Sequence, residues 1–388
     1  MKRLRLGIAS DEFFEPSLGR LGGFGWATRR VARLFTDEPE LGIDVVLITN
    51  ELTAREGRLE LPLHGTRLLL RDPGRLAFLR RLRKERLDLV LTIDYNSGFR
   101  FLMRALPRTP FIVWARDPCA TEDLAVIETL RVPGDPARPQ GVAPLQDLDL
   151  SGTLRWSRWL RRDIRFAVPS PHLATKLPDA LNVTDAAATH LPNIIDVAAP
   201  APRAERPRVL FLARLDPRKR PWLFVELARR LPDVEFAMAG QAHFRGPGAF
   251  ALSDAPPNLR VLGHVDGARK AEWLSSAWLL VNTSIHEGLA VSFLEALACA
   301  VPIVSTVDPD SLVSRFGECV GRFPGDGLDG VPPLSGAVTR LLDSPAERVR
   351  LGEAGRAWVR ATHNRQRFLE AFFALVQAVG LPRPGAPR

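Results

Sequence analysis

The chain is poor in cysteine, and it has no long apolar run, no tandem repeat and no low-complexity tract. Its three cysteines are Cys119, Cys299 and Cys319. An odd number without ligand-like pairing argues against a disulfide framework and a structural zinc site, and fits a reducing cytoplasm. No stretch approaches the roughly 20 uncharged apolar residues that a membrane-spanning helix needs. The opening MKRLRLGIAS is charged and strand-like, without the apolar centre and small-residue cleavage site of a signal peptide. Without a period of self-similarity, a solenoid or propeller is excluded.

What is present suits two domains. The length is 388 residues and the apolar fraction 46%, ordinary for globular proteins. The formal charge is +9. Nucleic acid, an anionic membrane surface and a merely arginine-rich composition could each account for it. Arginine occupies the polar positions of nearly every segment, which favours composition. The excess still helps to hold a phosphate-bearing substrate. No zinc finger, helix-turn-helix signature or aromatic-basic strand pattern supports a nucleic-acid partner.

Short apolar runs of the parallel-sheet type alternate with amphipathic stretches. Strands are expected at residues 4–9, 44–49, 66–70, 89–93, 111–115 and 165–168, with helices at 24–34, 75–86, 97–106 and 154–162. Residues 133–152 read as an extended loop. Ser170-Pro171 reads as a helix start, with a cap residue before a proline. The segment PNIIDVAAPAPRAERP (192–207) reads as a linker. A second alternation follows, with strands at 209–212, 235–238, 259–262, 278–282 and 302–305 and helices at 222–230, 269–276, 292–299, 346–360 and 366–379. The expected fold class is α/β, two doubly wound Rossmann-like domains facing a cleft. The expected division is 1–197, 198–360 and a C-terminal segment 361–388 that returns to the first domain. Ligands of such sheets sit beyond the carboxyl ends of the strands.

Three strand-to-helix loops carry chemistry. In LGRLGGFGWATRR, Gly22, Gly23 and Gly25 precede a helix. They make either a tight turn or a close approach to an anion at the helix start. The spacing is a poor dinucleotide fingerprint, because Thr28 stands at the third glycine's place. In FLARLDPRKRPWLF, Arg214 and Lys219 flank the Asp216-Pro217 turn. They read as a phosphate clamp or as a solvated turn, with Arg218 and Arg220 assigned to solvent. A pyrophosphate leaving group needs positive charge where its negative charge grows. Arginine can bind two phosphate oxygens, and lysine supplies a point charge. In SIHEGLAVSFLEALACAVPIVST, Glu287 lies in the loop and Glu295 in the following helix. Two acids in apolar surroundings need hydrogen-bonding partners. A sugar hydroxyl would serve Glu287 and a ribose Glu295. Backbone N–H groups of Leu289, Ala290 and Val291 would face the sugar or phosphate. The competing reading is a surface helix with two solvated acids.

The ordered set resembles the retaining glycosyltransferases of the GT-B fold, family four in the usual numbering. The resemblance rests on Gly22-Gly23, on Arg214-x4-Lys219, on Glu287-x7-Glu295 followed by ALACAVPIVST, and on the PNIID segment with Asn193 and Asp196. It covers nearly the whole chain. It implies transfer of a sugar, with retention, from a nucleotide-diphosphate donor (a UDP- or GDP-sugar) to an acceptor hydroxyl, without a metal or other cofactor. Glu287, Arg214 and Lys219 would be catalytic. Gly22, Gly23, Gly240, His264, Ser284, Gly288, Leu289, Ala290, Val291 and Glu295 would bind the donor. Neither D-x-D sequence, Asp147-x-Asp149 or Asp308-x-Asp310, lies at a suitable strand end. Where the family often carries a histidine, VWARDP places Arg116 and Asp117, read either as catalytic contacts to donor or acceptor or as turn residues. His172 reads as structural or exposed, and His286 borders the site.

The implied acceptor is a glycan, a lipid-linked saccharide or a small molecule, in polysaccharide or cell-surface glycan synthesis. A sugar-nucleotide epimerase and a non-catalytic nucleotide-sugar-binding protein of the same fold are the rival readings. The segments RLAFLRRLRKERLD and RWSRWLRRDIR mix arginine with leucine, tryptophan and phenylalanine. They are packed helices with solvated faces or weak peripheral contacts to the inner face of the cell membrane.

Overall fold

In the computed structural model the described residues are 3–19, 21–53, 58–96, 98–134, 149–184, 186–197, 201–242, 250, 252 and 254–385. They form two compact units.

The first unit comprises residues 1–120, 146–194 and 365–388. Among its described residues the strands are β1 (Leu4–Ala9), β2 (Ile43–Thr53), β3 (Glu60–Leu63), β4 (Thr66–Arg71), β5 (Leu89–Ile93), β6 (Phe111–Trp114), β7 (Ile164–Val168) and β8 (Ala188–His190). They lie in the order β3-β4-β2-β1-β5-β6-β7-β8. All pairs are parallel except the β3–β4 edge hairpin. The central strands β1, β5 and β6 are almost wholly buried, as apolar runs without alternation require. The helix Arg365–Ala378 completes this core. Its Phe368 and Phe372 rings lie 6.5 and 5.2 Å from Phe35, and Phe368 lies 5.8 Å from Trp114.

The second unit holds residues 195–364 and, among the described residues, 121–134. Its strands are β9 (Arg208–Leu212), β10 (Glu235–Ala239), β11 (Leu259–Gly263), β12 (Leu279–Asn282), β13 (Ile303–Ser305) and β14 (Gly317–Cys319). All pairs are parallel, in the order β11-β10-β9-β12-β13-β14. Phe211, Phe224 and Phe236 pack through its core, tilted and edge-to-face, with ring centroids 5.4 and 5.2 Å apart.

One difference from the expected division, and elements that the sequence analysis did not place, have physical causes. The helix Thr121–Glu128 groups with the second unit, where Asp123 pairs with His286 and the Thr129 hydroxyl accepts from Gly325 N. The proline- and glycine-rich stretch after β13 is not featureless. It contains β14 and the helix Val331–Leu342, whose prolines occupy the first turn, where no intrahelical N–H is needed. Most of the expected 133–152 loop, Asp147 included, lies outside the described residues.

The two sheets share one consequence. β1 lies between β2 and β5, and β9 between β10 and β12. At these points successive connections leave in opposite directions, so within each sheet two loops open side by side: those after β1 and β5 in the first unit, and those after β9 and β12 in the second. Gly240 keeps the second such edge tight. A Cβ there would run into the Ala213 carbonyl, and its φ is +155°. Gly240→Ala is expected to destabilise the protein by about 2 kcal/mol or more. A thermal midpoint equal to that of the parent protein would contradict this.

Candidate active site

The loop after β9 is set by a short turn. Asp216 accepts from Lys219 N at 3.3 Å, and Pro217 opens the single turn Pro217–Lys219. Arg214 Nε lies 3.1 Å from Asp216 Oδ2. Arg220 then takes a left-handed conformation, φ 46°, before the helix Pro221–Arg230. For a side chain other than glycine this costs about 1–2 kcal/mol.

The loop after β12 lies alongside. Lys219 Nζ donates to Glu287 Oε1 at 2.6 Å, and the same oxygen accepts from Ser284 Oγ at 2.6 Å and Asn282 Nδ2 at 3.1 Å. Both charged side chains are largely buried, 19% and 9% exposed. Burial alone would push the Glu287 carboxyl up. The Lys219 charge, with hydrogen bonds from Lys219, Ser284 and Asn282, outweighs it and holds the carboxyl below its ordinary value. Glu287 therefore stays ionised, with a cation in contact.

Ser284, Gly288, Leu289 and Ala290 are buried around this pair. Val291 opens the helix Val291–Ala298, whose first turn has no side-chain cap and no acid. Its positive dipole end is therefore not offset locally. His286 is buried and directed at Asp123, with Nδ1 and Oδ1 3.4 Å apart.

Glu295 is not a solvated acid. Lys270 Nζ, on the neighbouring helix Gly267–Ser276, lies 2.6 Å from its Oε1. The partner that the sequence reading sought in a ribose is supplied, at least for one oxygen, by the protein. Gly240 N donates to Gly263 O at 2.8 Å, and half-buried His264 follows that glycine.

Arg220 corrects the sequence reading outright. Expected in solvent, it is fully buried. Its Nε donates to Thr283 O at 2.8 Å, one terminal nitrogen to Phe323 O at 2.6 Å, and the other to Ser284 O at 3.1 Å and Thr306 Oγ1 at 3.3 Å. Burial lowers its pKa to about 10, so it remains charged. Nothing local in RKRP separates it from Arg218, because its acceptors lie 63 to 103 residues away.

In the first unit, Gly22 caps the helix Gly23–Asp37 without a side-chain bond. A protein carboxylate faces this turn: Glu12 Oε2 accepts from Gly25 N at 3.4 Å, and a Cβ on Gly22 would run into it. Arg116 is buried over the Trp114 ring at 4.3 Å and donates to Asn193 Oδ1 at 2.7 Å. Burial lowers its pKa to about 10. Asp94, directly after β5, was missed. Its Oδ1 accepts from the backbone N–H groups of Arg116 and Asp117 at 3.0 and 3.4 Å. Its packed surroundings push its carboxyl up to about 7, against those hydrogen bonds. The signal was available, an acid at the carboxyl end of a buried central strand. Asp308 caps a helix start, accepting from Val313 N at 2.7 Å and Ser314 N at 3.2 Å.

Residues 195–358 match the family described as glycosyl transferases group 1. The GDP-mannose-dependent alpha-(1-6)-phosphatidylinositol monomannoside mannosyltransferase of Mycolicibacterium smegmatis is 32% identical over 207 residues, 45% of this chain and 52% of that protein. The MMP alpha-(1->4)-mannosyltransferase of Mycolicibacterium hassiacum is 28% identical over 233 residues, 52% of this chain and 55% of that protein. The chain thus matches about half the length of these two relatives. Among solved structures, sucrose-phosphate synthase from Thermosynechococcus elongatus superposes with a TM-score of 0.73 at 16% identity, over 97% of this chain and 99% of that one. Anabaena HepE in complex with UDP-glucose gives 0.66 at 13%, over 97% and 100%. Likeness at these identities concerns the fold, which is GT-B.

Removing one member of a buried pair leaves the other uncompensated, so Lys219→Met should cost about 3 kcal/mol. Glu287 adds stability above its unfolded pKa, and that stability fades as pH falls through the lower folded value. The deficit of Glu287→Gln should therefore be largest near neutrality and shrink below the ordinary carboxyl value of 4.5. Thermal midpoints of both proteins across that range measure it. A deficit that grows on acidification would contradict the assignment.

Proposed function

We propose that the protein, whose residues 195–358 match the glycosyl transferases group 1 family, is a retaining glycosyltransferase. Its donor is a nucleotide-diphosphate sugar and its acceptor a hydroxyl of a glycan or lipid-linked saccharide. The observation that carries this reading is the Lys219–Glu287 contact at 2.6 Å where the loops after β9 and β12 open together.

The chemistry follows from charge. As the bond from the anomeric carbon to the donor phosphate breaks, negative charge grows on the departing diphosphate. Lys219 and Arg214 supply positive charge there, and the uncapped start of the helix Val291–Ala298 adds backbone N–H groups. Glu287, held ionised by Lys219, Ser284 and Asn282, orients the sugar through its hydroxyls. Lys270 fixes Glu295 through one oxygen, and the other is offered to the ribose. Front-face attack, with the departing phosphate helping to take the acceptor's proton, retains the anomeric configuration without a covalent intermediate. Arg116 and Asp117, on the carboxyl edge of the first unit's sheet, serve the acceptor side. Both relatives are mannosyltransferases by name and one is GDP-mannose-dependent, which makes GDP-mannose the first donor to test.

A lipid-linked acceptor calls for a membrane-facing surface at the inner face of the cell membrane. Among the described residues no helix is long and apolar enough to cross a bilayer. Arg5, Arg80, Arg83, Lys84 and Arg86 line an open basin of about 500 Å³ in the first unit, suited to anionic headgroups. Arg81 is not part of it. It is held by Asp72 at 2.8 Å, so a charge reversal there would test folding rather than binding.

Calorimetry with UDP, GDP and ADP, then with their sugar conjugates, tests the donor site. One diphosphate should bind, and Lys219→Ala should weaken it about tenfold or more. Glu295→Ala should weaken it as well. Binding unchanged by both substitutions would overturn the site. Conversion of the nucleotide sugar without any acceptor would favour an epimerase. Separately, the parent protein should sediment with vesicles containing phosphatidylserine, and Arg80→Glu/Arg83→Glu/Lys84→Glu should not. No sedimentation of the parent protein would overturn the membrane contact.

A further inference from the structure

Arg220 has no place in the chemistry just described, yet its environment is built with more care than that of any residue in the loop. It occupies a left-handed backbone position at φ 46°, which favours glycine. Its guanidinium is fully buried, and all of its hydrogen bonds go to three carbonyls and one hydroxyl. A strained backbone and a desolvated cation persist in one residue only where the surrounding structure over-determines them.

The bonds show what is held. Two of the carbonyls, Thr283 O and Ser284 O, follow β12 directly and lead to Glu287. The third, Phe323 O, lies in the loop after β14. Contacts run back the other way, since the Thr283 hydroxyl donates to Lys219 O at 2.7 Å and Arg220 O at 3.0 Å. Ile285 N donates to Arg218 O at 2.9 Å. Thr306 Oγ1 accepts from Arg220 and donates to Ser284 O at 2.8 Å. Gly327 leaves the space that the guanidinium fills, since a Cβ there would overlap it.

We propose that Arg220 is a positioning residue that pins the loop after β12 to the loop after β9, and so sets the distance at which Lys219 and Glu287 face each other. The role deepens the donor-site reading and rests on it for its functional meaning, but the brace itself consists of contacts within the protein. A carbonyl-directed guanidinium suits it, because a carboxylate partner would compete with Glu287 for the lysine.

The test uses lysine chemistry. The chain has five lysines: Lys2, Lys84, Lys176, Lys219 and Lys270. Two of them, Lys219 and Lys270, are buried in carboxylate pairs of the same 2.6 Å length, and only Lys219 lies on the brace. Limited reductive methylation with formaldehyde and a borane, read by peptide mass spectrometry without nucleotide, compares the two. In Arg220→Met, Lys219 should be modified about tenfold faster than in the parent protein, and Lys270 at an unchanged rate. Equal acceleration of both lysines would show general loosening and overturn the proposal, as would an unchanged Lys219 rate. If Arg220→Met does not fold, Thr306→Val, which removes one acceptor of the guanidinium, should give the same selective acceleration to a smaller extent. Failure to do so would overturn the proposal too. The donor reading is judged apart from this, by whether GDP or UDP protects Lys219 in the parent protein.

Discussion

A carboxylate buried at the end of a central strand must be neutralised where it stands, and the architecture of the second unit turns on how Glu287 meets that need. Its cation, Lys219, is 68 residues earlier in the chain. The two can meet only because β9 and β12 are neighbours in the sheet although β10 and β11 come between them in sequence. Ser284 and Asn282 fill the remaining hydrogen-bonding capacity of Oε1. The pair is thus a structural contact that sets one negative and one positive group side by side at the strand ends.

The same economy recurs around it. Glu295 is paired with Lys270 and Asp123 with His286, so these two acids, like Glu287, have a cation or a histidine within 3.4 Å. Arg220 is handled differently on the positive side. It is charged, buried and satisfied by neutral oxygens, which makes it a fastener between loops and leaves the acids to their own partners. The first unit handles its polar edge differently. Asp94 rests on two backbone N–H groups and has its carboxyl pushed up to about 7, while Arg116 is sunk over an aromatic ring.

The division into strands and helices was legible because it depends on local patterns. Buried parallel strands appear as apolar runs such as LVLTI and FIVW, and their helices as amphipathic stretches with proline or glycine at the ends. Glu287 and Lys219 were legible as polar residues at strand ends. The misreadings have a common origin. The helix Thr121–Glu128 reads as part of the first unit because it follows β6, and only its contacts to residues after 280 assign it elsewhere. The helix Val331–Leu342 was hidden by prolines that suit a first turn as well as a loop. Arg220 looked like its neighbour Arg218 because both sit in the same charged run.

By itself, the sequence determined the alternating α/β class, the two-part organisation and the charged loops at the strand ends. These follow from periodicity and from residue types that act within a few positions of themselves. Only the tertiary structure decided which charges meet: Lys219 with Glu287, Lys270 with Glu295, and Arg220 with the carbonyls of Thr283, Ser284 and Phe323. Strand order decides those meetings, and strand order is set by the packing of whole elements, which no local pattern of residues encodes.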